Sequence, residues 1–111
     1  MIIIGFAKKS SKILPHIFCK KFKHCAVIVR DGKEFILYQF LSYRHIEKIY
    51  LKPRDIKILQ QHGWCFVYVP CDLPRNFPRR YVTCVNMAKS AIKMYAPFIQ
   101  TPDALYRAIA Q

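Results

Sequence analysis

Apolar and polar positions change over in short blocks along the chain, and the period within each block predicts its element. Residues 2–6, Ile-Ile-Ile-Gly-Phe, are a continuous apolar run of the length expected for a buried strand. Between Lys8 and Lys23, charge, serine and Pro15 break up the apolar positions, which predicts a loop with room for one short helix. Residues 24–30 and 34–40 are β-rich, and Asp31-Gly32-Lys33 between them is a tight-turn signal, so the pair predicts an antiparallel hairpin. A third run follows over residues 45–51, with Ile46, Tyr50 and Leu51 as its strand-forming positions.

Pro53 then opens a helical pattern. Asp55 falls in its first turn, Ile56 and Leu59 are three apart, and Gly63 stands where a C-terminal stop belongs. Residues 64–69 are aromatic and β-branched, predicting another strand that Pro70 ends. Pro74, Pro78 and Arg79-Arg80 mark an irregular basic connection. Thr83 is a good N-cap, and Val85, Ala88, Ala91, Ile92 and Tyr95 recur on one broad apolar face of a helix that Pro97 closes. Thr101-Pro102-Asp103 supplies N-cap, first-turn proline and first-turn acid for a last helix carrying Leu105, Ala108 and Ile109 on one side. There is no internal repeat or low-complexity tract. The expected fold class is α+β, an antiparallel sheet packed against helices, with residues 1–111 as a single domain.

Charge changes this picture by pointing to partners. Nineteen lysines and arginines against six acidic residues give a formal net charge of +13, a large positive field for so small a chain. Nucleic acid, an acidic membrane surface, an anionic cell-wall polymer and the interior of a larger assembly all satisfy it, while most of these lysines read as solvated surface. No nucleic-acid-binding motif accompanies them. Five cysteines, at positions 19, 25, 65, 71 and 84, lack CxxC pairing, so neither a disulfide framework nor a zinc ribbon is expected; a reduced, cytoplasmic setting is. The N-terminal apolar run is too short to span a membrane and lacks the basic segment of an export signal, so no transmembrane segment or signal peptide is expected.

Candidate chemistry centres on Cys84 and His24. A cysteine in a first helical turn meets unpaired backbone amides and the positive end of the dipole, which favour the thiolate and can receive an oxyanion. His24 opens an apolar strand, an address from which an imidazole can project from the sheet end as a base. Gln39, polar within an otherwise apolar strand, is the candidate to fix the imidazole, with Glu34 and His45 as substitutes. The plainer readings are a small buried thiol tying helix to sheet at Cys84, a structural histidine at 24 and an exposed strand residue at 39. Cys25 and Cys65 lie in strand patterns and read as core thiols, and Cys71 falls in a loop. The adjacent His24-Cys25 pair points to opposite faces of a strand, so no metal or other cofactor is expected. Lys20-Lys21-Lys23 and Arg79-Arg80 come just before His24 and Cys84, where they would flank a cleft between them.

These residues resemble the circularly permuted papain-like fold of the NlpC/P60 superfamily, in which the histidine strand precedes the cysteine helix. The resemblance is carried by Ile4-Gly5-Phe6, by Lys23-His24-Cys25-Ala26-Val27-Ile28 with its Asp31-Gly32 turn, by Gly63-Trp64, and by Thr83-Cys84-Val85 followed by Thr101-Pro102-Asp103-Ala104-Leu105-Tyr106. The Thr-Pro-x-x-Leu-Tyr segment is similar to one in small permuted members, many from phages and bacteria. The resemblance implies Cys84 as nucleophile, His24 as base and Gln39 at a position often held by an acidic or other polar orienting residue. It implies acyl transfer through a thioester, most commonly amide hydrolysis. Peptidoglycan stem peptides, γ-glutamyl or isopeptide bonds and lipid acyl groups are the implied substrates, with virion association as one setting. The alternative from another class is a catalytically inactive basic module that docks on nucleic acid or within a virion.

Overall fold

The computed structural model of the chain describes residues 1–8, 22, 24–42 and 45–110, with the backbone alone at Ser42. Five strands appear in it: β1 (Ile2–Ala7), β2 (His24–Asp31), β3 (Glu34–Ser42), β4 (His45–Leu51) and β5 (Cys65–Val69). They form one antiparallel sheet in the order β4-β3-β2-β1-β5. Among the described residues three helices accompany it, α1 (Pro53–Gln61), α2 (Cys84–Ala91) and α3 (Pro102–Ile109). The chain is therefore α+β, as its patterning predicts. The expected short helix between Lys8 and Lys23 and the Lys20-Lys21-Lys23 cluster lie outside the described residues.

The continuous apolar runs of β1 and β2 are explained by their central place, since each has a strand on both sides and a layer on both faces. One face carries Ile2, Ile4, Phe6, Cys25, Val27, Tyr38 and Phe40, buried against Val85, Met87, Ala88 and Ala91 of α2 and Leu105 of α3. The other carries Ile3, Ala26, Ile28 and Leu37, and packs beneath Ile56 and Leu59 of α1 together with Trp64 and Phe66. The hairpin forms as predicted. Asp31 pairs with Glu34, leaving Gly32 and Lys33 as the turn, and Gly32 takes φ +62°, a value that favours glycine.

Two helical expectations need correction. The apolar pattern extends the cysteine helix to Tyr95, but α2 stops at Ala91 and Tyr95 is 93% exposed. Lys93 adopts φ +58°, Met94 N–H folds back to the Lys89 carbonyl at 2.9 Å, and the buried Lys89 ammonium donates to the carbonyls of Ala96 (2.9 Å) and Ile99 (2.7 Å). Those bonds reward a chain reversal that periodicity alone does not register. In α3, Leu105 is buried and Ile109 half-buried as expected, whereas Ala108 faces solvent. Tyr106 instead joins the packed side, its ring 5.2 Å from that of Phe6 and 4.6 Å from that of Phe22.

Candidate active site

The site lies at the sheet end where β2 begins. Thr83 caps α2 by accepting a hydrogen bond from Asn86 N–H at 3.0 Å, so Cys84 is the first helical residue. Its own N–H and that of Val85 belong to the turn that has no intrahelical acceptors. Because α2 packs on β2, this turn is brought to His24 and Cys25. Two adjacent residues, His24 and Cys25, thus meet a sulfur about sixty residues further along the chain.

The Cys84 thiol is lowered from the ordinary 9.0 to about 5. A hydrogen bond from the Cys25 side chain contributes most. Burial opposes it by disfavouring the charged form. The His24 imidazole then lowers it further through hydrogen bonding and through charge, and the Cys25 backbone adds a last, smaller hydrogen bond. The Cys84 sulfur therefore has His24 beside it, and also Cys25, whose strand pattern places it in the core without signalling any contact to the cysteine helix. Cys25 is fully buried, as expected of a core thiol; Cys65 is only partly buried, and Cys71 lies just beyond β5.

His24 is half-buried, and its ring meets Trp64 edge-on at a centroid distance of 6.1 Å and an interplanar angle of 87°. Trp64 reaches this place because Gly5 lies beneath it: a Cβ at position 5 would come within 3.0 Å of Trp64 Cε3 and 3.1 Å of the Phe66 ring. Gly5 and Gly63-Trp64 are thereby parts of one arrangement beside the histidine. Trp64 as its wall is a contact that strand patterning does not signal.

Gln39 does not make the hydrogen bond expected of it. Among the described residues the His24 Nε2 atom is buried without a hydrogen-bond partner. The cause is in the ladder. Pairing of β2 with β3 runs from Asp31–Glu34 to Val27–Tyr38 and stops there, while β3 continues along β4 through Gln39–Glu47 and Phe40–Ile46. Alternation gives Gln39 the same sheet face as His24, but the two strands part company before their side chains are opposed. Glu34 is excluded as a substitute because it is exposed at the hairpin turn, the other end of the sheet. His45 is at the near end, but exposed and on the edge strand β4.

Arg79 and Arg80 are exposed on the connection leading into α2. Among the described residues no group of three histidine, cysteine or acidic side chains could hold a metal ion, and no helix is long and apolar enough to cross a membrane. Comparison with protein-family models, curated proteins and solved structures gave no match to this chain.

Proposed function

We propose that this chain is a cysteine-dependent amidase or peptidase of permuted papain-like type, acting through a thioester acyl-enzyme. The observation that carries the reading is a first-turn cysteine, Cys84, whose thiol is lowered to about 5 beside a half-buried histidine. At neutral pH such a thiol is a thiolate, and an adjacent imidazole can hold the matching proton. The order of the two elements, histidine strand before cysteine helix, supports the permuted arrangement.

In this reading the Cys84 sulfur attacks the carbonyl carbon of the substrate, and the developing oxyanion is received by the first-turn N–H groups of α2. The His24 imidazolium gives its proton to the departing amine, which leaves the acyl group on sulfur. A water molecule, deprotonated by His24, then attacks the thioester and regenerates the thiolate. Nδ1 is the nitrogen assigned to the sulfur, because Nε2 has no partner among the described residues. Trp64 takes over the orienting role expected of Gln39, holding the ring by an edge-on contact.

Peptidoglycan stem peptides and related amides carried on anionic polymers fit the +13 charge and the exposed Arg79 and Arg80. Virion association after synthesis in the cytoplasm belongs to the same reading. Mass spectrometry after incubation with muropeptides and γ-glutamyl amides tests it. An acyl adduct on Cys84 and released amine are expected, both lost in Cys84→Ser, and turnover reduced by roughly 10²–10⁴ in His24→Ala. No adduct and no release across both substrate classes would overturn the reading. The charge also favours a second reading, a basic module docking on nucleic acid or inside a virion, in which Cys84→Ser leaves binding unchanged.

A further inference from the structure

Cys25 has no part in the acyl-transfer chemistry, yet its side chain hydrogen-bonds to the Cys84 sulfur where α2 packs on β2. It is fully buried on the β2 face that receives α2, whereas Cys84 is partly exposed at the helix start; both are reduced. An oxidant from solvent therefore meets Cys84 before Cys25. From this juxtaposition of an accessible thiol with a sealed one we infer that Cys84 and Cys25 form a reversible disulfide under hydroperoxide, a modification site that switches the nucleophile off and shields it from irreversible oxidation. The inference rests on the reactive Cys84 site described above, but not on any substrate.

The chemistry closes with a hydroperoxide as the only co-reactant. The Cys84 thiolate attacks one peroxide oxygen, the O–O bond breaks, and the leaving oxygen departs as water or alcohol with the proton held by His24. Cys84 is then a sulfenic acid. The Cys25 sulfur attacks the Cys84 sulfur, the S–O bond breaks, and the hydroxyl leaves as water with the Cys25 thiol proton. One peroxide has been reduced and two thiols oxidised. Two equivalents of an external thiol reverse the step by exchange.

Neither of the other described cysteines competes for Cys84's neighbour. Cys25 and Cys65 both stand opposite Phe6, on either side of β1, so two strand spacings of about 4.8 Å each separate their backbones. That exceeds the roughly 7 Å limit for a disulfide. Cys71 follows β5 at the end where Val69 pairs with Ile2, and His24 pairs with Ala7 at the opposite end of β1.

The test is to treat the full chain with hydrogen peroxide at neutral pH, block remaining thiols, and map peptides without reduction. A Cys25–Cys84 crosslinked peptide is expected, with nearly complete loss of Cys84 alkylation and its full recovery on adding a thiol reductant. In Cys25→Ala, checked for native circular dichroism, peroxide should carry Cys84 on to sulfinic acid, and reductant should not restore it. Sulfinic acid at Cys84 in the wild-type chain with Cys25 still alkylatable after unfolding, or a Cys84 disulfide to any other cysteine, would overturn the inference. Because no substrate is used, a chain that forms this disulfide but leaves muropeptides and γ-glutamyl amides intact would contradict only the amidase reading.

Discussion

At the scale of single residues, the decisive contrast is between Cys84 and the other described cysteines. All are embedded in or near the core, but only Cys84 combines a first-turn position with an imidazole and a second thiol beside its sulfur. Its lowered pKa has a consequence for stability. A thiol whose folded value lies below its unfolded one contributes stability that is fully present above the ordinary 9.0 and is lost as pH falls through about 5. Urea unfolding under reducing conditions should therefore show the advantage of the wild-type chain over Cys84→Ala shrinking between pH 9 and pH 5. A constant difference over that window would contradict the shift. Thr83 contributes separately: Thr83→Ala removes the acceptor for Asn86 N–H and should cost about 1 kcal/mol in the same measurement. His24 and Cys84 were legible in the sequence because each sits at an element start with a recognisable cap or apolar run. Cys25 was not, because alternation along a strand shows which face a side chain takes and not what the partner layer places against it.

At the scale of elements, local signals succeeded wherever the stop or start is written in backbone chemistry. Asp31-Gly32-Lys33 made the hairpin, Pro53 and Gly63 bounded α1, and Thr101-Pro102 began α3. They failed where a distant group intervenes. The early end of α2 depends on Lys89, whose ammonium satisfies two carbonyls of the following connection. Lys89→Met keeps the buried stem but removes both donors, and should cost about 1–3 kcal/mol in chemical denaturation. Likewise, the missing Gln39 bond depends on where two strands cease to pair, a tertiary property with no counterpart in either strand's own sequence. Gly5 shows how one small residue serves two elements. Gly5→Ala must displace Trp64 or Phe66, and with one tryptophan in the chain a change in its fluorescence reports that displacement directly. A loss of about 1–3 kcal/mol should accompany it; an unchanged spectrum and stability would show that the Trp64 wall does not depend on this close approach.

At the scale of the whole molecule, two properties meet without being the same thing. The sheet holds the reactive groups at one end, between strand β2 and helix α2, and the charge of +13 is a sum over the whole sequence. Attraction to an anionic polymer is thus expected to be separable from chemistry. Binding to a polyanion such as heparin or DNA should weaken steeply as salt rises, and Cys84→Ser should leave both affinity and salt slope unchanged. Binding that needs Cys84, or that ignores salt, would contradict that separation. The composition made the field legible from the start. What it could not convey is the bond on which the site acts, since a field of one sign draws every anionic substrate alike.

The most direct test of the central claim is the rate of iodoacetamide alkylation at Cys84 as a function of pH, read by mass spectrometry that resolves it from the other thiols, in the wild-type chain and in His24→Ala. The account predicts a wild-type midpoint near 5 and an upward displacement without the imidazole, partial because Cys25 still acts on the sulfur. A midpoint near the ordinary 9.0 that does not move with His24 would contradict it.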